Sequence, residues 1–245
     1  VGATAAASAR LPAWEAFETQ IPIKCDAARV LEQTLDPSKL GGRAVVIGTA
    51  TDPYQPAERQ FLLTRSILEA LLKFRGLRIG LITKSPLVTR DTDLLVRLAD
   101  RHEVTVNISL ATLDSKLARR LEARSPVPRV RIAALRTLRR AGIPTGLLIA
   151  PILPAITDSW SALAALFEAA RDAGAQWVHG VPLRLGPAAR ARFLPVLRAE
   201  FPELARRYEE HFAHRQHTSR DYGRALRRRI VSLQEAFGFE TGSSL

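Results

Sequence analysis

The sequence predicts an α/β fold with a parallel sheet, arranged either as a (β/α) barrel or as a long doubly wound sheet. Two observations support this prediction. Short apolar runs rich in β-branched residues alternate with longer stretches of helical periodicity, and this unit occurs six times along the chain. The apolar runs are also nearly continuous, which is typical of parallel strands that helices cover.

Each predicted strand precedes a predicted helix. The strands are expected at residues 21–25, 43–48, 77–84, 103–110, 145–154 and 175–185. The clearest helices are expected at residues 57–74, 90–101, 129–142 and 158–174. Gly142 and Gly174 stand where a left-handed residue would end two of these helices. From Arg190 onward the pattern is helical and charged, so residues 187–245 are predicted to form a C-terminal helical extension.

The composition excludes several classes of protein. Of the 245 residues, 47% are hydrophobic, which indicates a globular chain. No apolar run approaches the roughly 20 residues of a membrane helix, and the Ala-rich opening lacks the features of a signal peptide. A single cysteine, Cys25, agrees with a cytoplasmic location. The sequence has no Walker loop and no GxGxxG pattern, so ATP and Rossmann-type dinucleotide binding are not expected.

The chain carries a formal net charge of +12, and Arg greatly outnumbers Lys. One explanation is a GC-rich genome, which encodes Arg and Ala freely. The other is a polyanionic partner, DNA or another nucleic acid, whose phosphates would be bound by a basic stretch at residues 224–233. The composition leaves both explanations open.

Polar residues gather at the ends of the predicted strands. Carboxyl ends of parallel strands share one rim of the sheet, and that rim holds the active site in barrels and open α/β sheets. The residues are Thr49, Thr51, Asp52, Tyr54, Thr83, Lys84, Ser85, Ser109, Thr112, Asp114, Pro151 and Pro154. A functional site at this rim is therefore predicted, and the competing interpretation is that these residues only form turns.

The stretch "GTATDPYQPAERQ" at residues 48–60 combines polar and rigid residues directly after a strand. Pro53 and Pro56 fix their own backbone and bias the preceding residues toward extended conformations. Both prolines would hold Asp52 and Tyr54 in a set direction over the rim, as a binding site requires. A proline-rich turn into a helix explains the prolines but not the "TATD" before them.

Three blocks of the sequence resemble the radical SAM superfamily. They are "GTATDPYQPAERQFLLTRSILEAL", "ITKSPLVTRDTDLL" and "SLATLDSKLARRLEARSPVPRVRIAALRTLRRAGIPTGLLIAPILPAITD". The resemblance is greatest to the DNA repair photolyase or spore photoproduct lyase-like branch. It implies an incomplete parallel (β/α) barrel of the radical SAM type, with a core over residues 17–186 and an N-terminal remnant over residues 1–16.

The chain departs from this family in its cysteines. Members hold a [4Fe–4S] cluster through a CxxxCxxC loop after the first strand, and thiolates are the usual ligands of such clusters. Only Cys25 is present, within a strand-like run, where we expect a buried thiol that packs as a small hydrophobe. We expect no metal ligands and no activity of this chain alone, because the loop either lies upstream of the given start or has been lost.

The resemblance implies a site for S-adenosylmethionine (SAM) along the strand ends. The segment containing Thr49, Thr51 and Asp52 would face the amino group of the methionine. Asp52 suits an ammonium group because it carries the opposite charge. Tyr54 would act as a radical or proton relay, or would pack on the turn.

Further residues acquire roles in the same way. Lys84, Ser109 and Arg124 would serve the methionine carboxylate and the ribose, since Arg grips a carboxylate at two points. Pro151 and its neighbours would contact the adenine. The cofactor would carry the radical chemistry, and the protein would orient it.

Three hypotheses about function remain at this point. The first is a radical SAM enzyme, lyase-like, seen without its cluster loop, with DNA repair suggested by the branch alone. The second is a degenerate relative that binds nucleic acid or a protein partner without catalysis. The third is an unrelated phosphate-binding barrel enzyme. The substrate and the oligomeric state are left open, and no membrane association is expected.

Overall fold

A computed structural model describes residues 22–241 of the chain. Within that range the sheet has five parallel strands in the order β1-β2-β3-β4-β5, so each strand pairs with its neighbours in sequence. The strands are β1 Val45–Ile47, β2 Arg78–Thr83, β3 Glu103–Ser109, β4 Thr145–Ile152 and β5 Val178–Pro182. The sheet does not close, which confirms the α/β fold and the incomplete parallel barrel.

Ten α-helices lie in the described range, most of them on the crossovers between strands. They are α1 Ala27–Thr34, α2 Glu58–Phe61, α3 Leu63–Leu71, α4 Thr92–Ala99, α5 Ser115–Leu121, α6 Pro128–Arg140, α7 Trp160–Asp172, α8 Pro187–Glu200, α9 Pro202–Phe212 and α10 Arg220–Phe237. Two 3₁₀ helices add Pro37–Leu40 and Pro86–Asp91. Gly142 and Gly174 have φ of 83° and 81°, so both end their helices as predicted.

One predicted strand is wrong. Residues 22–25 form no strand, and Ile21 lies outside the described residues. Pro22 has no N–H group to donate to a ladder, and α1 begins only two residues beyond Cys25. The Cys25 thiol is exposed, so the expected buried thiol is also wrong.

The two faces of the sheet differ in chemistry. Side chains that alternate along each strand, such as Leu81, Val106 and Leu147, are fully buried in the main core. That core includes Leu68 and Leu71 of α3. The alternate side chains of each strand point to the opposite face, here called the inner face, which is only partly covered by other residues.

The helix predicted over residues 57–74 is interrupted. Leu62 has φ of 51°, in the left-handed region, and separates α2 from α3. The helix predicted over residues 90–101 likewise begins only at Thr92, after a 3₁₀ turn. Both breaks position polar side chains of the rim described below.

The chain forms two compact units. Of the described residues, one unit comprises 25–184 and 217–241, so α10 belongs with the sheet. The other comprises residues 185–216 with residues 22–24, and it contains α8 and α9. The remnant expected over residues 1–16 lies outside the described residues.

The helical character of the C-terminal extension is confirmed by α8, α9 and α10. In the smaller unit, Tyr208 of α9 packs against Phe193 and Phe212, with ring centroids 6.0 and 5.9 Å away. Pro195 lies inside α8 and does not end it. No helix between residues 22 and 241 has the length and apolar character to span a bilayer.

Candidate functional site

The loop after β1 lies directly against the end of β2. Gly48 has φ of +100°, and a Cβ at this position would lie 2.1 Å from the carbonyl oxygen of Ile82. Only glycine allows this approach, because any side chain would collide with backbone and would also require an unfavourable φ. The "GTATD" segment is thereby held at the carboxyl end of the sheet.

Asp52 joins this loop to the next strand. Its Oδ1 accepts hydrogen bonds from the hydroxyl of Thr83 at 2.7 Å and from the backbone N–H of Tyr54 at 2.9 Å. Its Oδ2 accepts from the backbone N–H of Lys84 at 2.7 Å. The carboxylate is partly buried and fixed in direction, as the sequence predicts, although it is fixed by β2 and not by the prolines alone.

Glu58 makes a second connection, which the sequence analysis did not identify. It is 4% exposed, and its carboxylate accepts hydrogen bonds from the backbone N–H of Thr64 at 2.9 Å and from Arg90 Nη2 at 2.8 Å. Arg90 and Arg65 both donate to Asp91, which is fully buried. The signal available in the sequence was an acidic residue directly beside an arginine, in "QPAER" and in "VTRD".

Tyr54 lies beneath this connection and not on the open rim. It is 2% exposed and belongs to the main core, with the Arg90 guanidinium 5.9 Å from its ring centroid. Among the residues that the structure describes, its hydroxyl has no hydrogen-bond partner of good geometry. Burial, and then the nearby Asp91 carboxylate, raise the pKa of the Tyr54 hydroxyl, so it is a neutral phenol at any ordinary pH.

Lys84 and Ser109 are linked through Glu122 and Arg131. The Lys84 ammonium donates to Glu122, whose other oxygen accepts from Arg131 Nη2 at 2.8 Å. Arg131 is 1% exposed and also donates to the carbonyl of Ser109 at 3.0 Å. Burial disfavours the charged form of Glu122, but Lys84 and Arg131 together hold its pKa below its usual range. The strand ends of β2 and β3 thus share one charged cluster.

The remaining predicted residues differ in placement. The hydroxyl of Ser109 donates to the carbonyl of Ala150 at 3.3 Å, which ties β3 to the segment that carries Pro151. The Ala150–Pro151 peptide is cis. Thr49 and Thr51 are exposed on the loop after β1. Arg124 is exposed, three residues beyond the end of α5.

The inner face of the sheet carries polar and aromatic residues below this rim. Asn107 of β3 is 1% exposed, and its Oδ1 accepts a hydrogen bond from Nε1 of Trp177 at 2.8 Å. His179 of β5 pairs in register with Leu148, which pairs with Ser109. Sequence analysis did not select Trp177 or His179, because lone aromatic residues in an apolar run give no local signal.

The described residues offer no ligand set for a metal or a cluster. No group of three or more His, Cys, Asp or Glu side chains comes together between residues 22 and 241. The whole sequence has one cysteine, and Cys25 is exposed near the start of α1.

The basic stretch lies on α10. Arg227 and Arg228 are exposed, whereas Arg229 is half-buried and donates to the carbonyl of Asp158. Asp158 also accepts a hydrogen bond from the hydroxyl of Tyr222 at 3.0 Å. Arg229 therefore fastens α10 to the sheet unit, and only the exposed arginines are available to a partner.

Comparison with known proteins gives a family and two relatives. The sequence profile of the Radical SAM superfamily matches residues 25–167. An uncharacterized protein of Mycobacterium tuberculosis (strain ATCC 25618 / H37Rv) is 35% identical over 217 residues, which are 89% of this chain and 64% of the relative. An uncharacterized protein of Methanocaldococcus jannaschii is 35% identical over 114 residues, covering 46% of this chain and 42% of the relative. The chain thus spans about two thirds of the mycobacterial relative and less of the archaeal one.

Several solved structures have a fold similar to that of this chain. A variant of spore photoproduct lyase superposes with a TM-score of 0.61 at 16% identity, over 86% of this chain and 64% of that one. Another, with bound AdoMet and dinucleoside spore photoproduct, gives 0.59 at 15% identity, over 86% and 62%. Streptococcus suis SuiB bound to S-adenosylmethionine gives 0.52 at 16% identity, over 74% and 41%. At these identities the likeness concerns the fold.

Proposed function

The chain belongs to the radical SAM superfamily, and from this premise we propose that its rim binds S-adenosylmethionine as the SAM-binding part of a radical SAM enzyme. The observation that carries the proposal is the connection of Asp52 to Thr83 and Lys84 across the ends of β1 and β2. It fixes the Asp52 carboxylate against the backbone of Lys84, whose ammonium donates to Glu122, at the carboxyl end of a parallel sheet, where such folds bind their ligands.

The carboxylate of Asp52 and the ammonium group of Lys84 suit an amino acid zwitterion. Asp52 would face the methionine ammonium group, since its carboxylate is fixed and retains lone pairs after accepting three hydrogen bonds. Lys84 would face the methionine carboxylate, with its ammonium held in place by Glu122. Thr49, Thr51, Ser109, Arg124 and Pro151 complete the proposed SAM contacts. When bound, SAM supplies the radical chemistry of the superfamily, and these residues orient it.

The residues of this chain do not fit a [4Fe–4S] cluster. Three thiolates are required by the CxxxCxxC pattern of the family, and the sequence contains one cysteine. No reaction step through a cluster follows from the residues described. We assign this chain the positioning of SAM and of a substrate, and we leave cluster ligation to residues that are not in it.

Titration calorimetry with SAM tests the proposal. Lys84→Ala and Asp52→Asn should each weaken SAM binding by about tenfold, as expected for the loss of one charge-assisted contact of roughly 1.5 kcal/mol. Lys116→Ala, which removes an exposed lysine on α5, is the matched control and should bind like the parent. A parent chain that does not bind SAM, or two variants that bind it unchanged, would contradict the proposal.

A second candidate function is a non-catalytic module that binds nucleic acid or protein. The observation in its favour is the lone cysteine combined with a net charge of +12. Arg227 and Arg228 project from α10 and would contact phosphates, to which Arg is well suited. Only the first function predicts SAM binding at Asp52 and Lys84, so the calorimetry separates the two.

A further inference from the structure

Trp177 lies flat on the inner face of the sheet. A Cβ at Gly146 would be 2.1 Å from Nε1 of Trp177 and 2.3–2.4 Å from two carbons of the same ring. Glycine at this position is therefore what lets the indole rest against β4. The ring is partly exposed, so it is a planar aromatic surface that remains open on the inner face.

Asn107 fixes the orientation of this ring. Its amide is 1% exposed, and its oxygen accepts the hydrogen bond from Nε1 of Trp177 at 2.8 Å. The polar edge of the indole is thus satisfied by the sheet itself, and a ligand would meet the face of the ring. A side chain held in this way loses little entropy when a planar ligand stacks on it.

His179 lies on β5, and Trp177 is the residue directly before this strand. Residues two apart on a strand point to the same face, about 7 Å from each other. His179 pairs in register with Leu148, and Leu148 pairs with Ser109, one of the residues proposed to bind SAM. His179 and Ser109 therefore lie in the same row across the sheet, two strands and about 10 Å apart.

The imidazole of His179 is half-buried, and none of the hydrogen bonds among residues 22–241 involves it. Burial lowers its pKa from the usual value, so the ring is neutral near pH 7. A neutral imidazole presents one N–H donor and one nitrogen acceptor. Both are available on the inner face.

We propose that Trp177 and His179 form a binding site for a nucleobase, with the base stacked on the indole and hydrogen-bonded at its edge by the imidazole. The site would hold the substrate beside the SAM-binding rim, and in this respect it rests on the proposed function. A nucleobase is recognised by an aromatic ring that stacks on its face and by a group at its edge that donates and accepts hydrogen bonds. The indole of Trp177 supplies the first, and the imidazole of His179 supplies the second. The net charge of +12 favours a base carried on a polyanion over an aromatic side chain of a peptide.

Fluorescence anisotropy at physiological salt tests this site, with two labelled ligands of equal length. One is a short oligodeoxythymidylate, and the other is an abasic oligomer that has the same phosphates and no bases. The parent chain should bind the first more tightly. In Trp177→Leu and His179→Ala this preference should fall by about tenfold, as expected for the loss of one base contact. Val181→Ala, an exposed residue of the same face, is the matched control and should keep the preference.

Intrinsic fluorescence gives a second readout that does not depend on those variants. The chain has three tryptophans, and Trp14→Phe combined with Trp160→Phe leaves Trp177 alone. A base stacked on Trp177 should quench this signal, while the abasic oligomer should not. Trp177→Phe keeps a stacking ring, so it should retain part of the preference even though it loses the bond to Asn107.

Separate outcomes decide the inference and the function on which it rests. A base preference that is absent in the parent, or unchanged in both variants, overturns the site whatever happens to SAM binding. If His179→Ala weakens SAM binding as much as it weakens the base preference, the nucleobase site is also overturned, because His179 would then serve the cofactor. Competition by a tryptophan-containing peptide as strong as that by the oligomer would assign the site to a peptide and reject the nucleobase. If SAM does not bind but the base preference follows Trp177 and His179, the proposed function fails and the site stands.

Discussion

Asp52, in the loop after β1, accepts a hydrogen bond from the hydroxyl of Thr83, the last residue of β2, at 2.7 Å. Thr83 is 1% exposed, so this hydroxyl has no access to water as an alternative partner. The bond fixes the loop that carries three of the seven predicted SAM-binding residues to the neighbouring strand. A residue proposed to bind a cofactor therefore also stabilises the fold.

Removing the Asp52 carboxylate should destabilise the chain. We expect Asp52→Ala to lower the free energy of unfolding by about 2 kcal/mol, because the buried hydroxyl of Thr83 loses the acceptor for its proton. Urea denaturation followed by circular dichroism measures the change. Thr51→Ala, one residue away and exposed, should stay within about 0.5 kcal/mol of the parent. Equal stability of the Asp52 and Thr51 variants would show that the connection contributes nothing.

Tyr54→Phe should leave the free energy of unfolding within about 0.5 kcal/mol of the parent, because the hydroxyl that it removes has no hydrogen-bond partner. Glu58→Ala, in the same cluster, should cost about 2 kcal/mol, since the N–H of Thr64 loses its acceptor and Arg90 loses one of the two carboxylates to which it donates. Thermal and urea unfolding compare the two. A large loss in Tyr54→Phe would show that the phenol donates to Asp91 and holds the cluster together.

Stability should fall in acid partly through Glu122. The pKa of Glu122 is lower in the folded chain than its ordinary value of 4.5, so its contribution is complete above about pH 4.5 and is lost as the pH falls through the folded value. Glu122→Gln should therefore give a flatter dependence of unfolding free energy on pH below 4.5. Asp91 also has a lowered pKa, so some acid sensitivity should remain. Glu168→Gln, whose side chain is 62% exposed, should keep the slope of the parent.

Anaerobic reconstitution with iron and sulfide should leave this chain without a [4Fe–4S] cluster. The reason is that one exposed thiol, Cys25, cannot replace three. Iron and acid-labile sulfide should remain far below four per chain, and Cys25→Ser should give the same values as the parent. Four irons per chain that survive in Cys25→Ser would contradict this expectation.

DNA binding should weaken as salt rises, because each phosphate neutralised by arginine releases a condensed counterion. Arg227→Ala with Arg228→Ala should lower the salt slope by roughly two, at about 0.9 per phosphate contact. The double variant Arg206→Ala with Arg207→Ala removes the same charge from α9 and is the matched control. If both doubles change the slope equally, the positive charge acts as a whole and α10 has no special part.

The sequence alone determined the fold of this chain and the rim of its site. Continuous apolar strands and amphipathic helices can bury their hydrophobic surface only in an α/β arrangement, and the alternation repeats often enough to fix it. Asp52, Lys84 and Ser109 were accessible to the same reasoning, because parallel strands bring their carboxyl ends to one rim. Residues 22–25 were predicted wrongly because a short apolar run does not reveal whether a partner strand is available to pair with it.

Tertiary structure decided which polar side chains are open and which are engaged. Glu58, Arg90 and Asp91 are far enough apart in sequence that only packing brings their charges together in a buried cluster. Tyr54, which follows the same turn as Asp52, points into the core instead of the rim. Trp177 lies against Gly146 because register pairs two strands that are separated by a whole helix. Contacts of this kind depend on distances across the chain, and those distances are set by the fold and not by any local pattern.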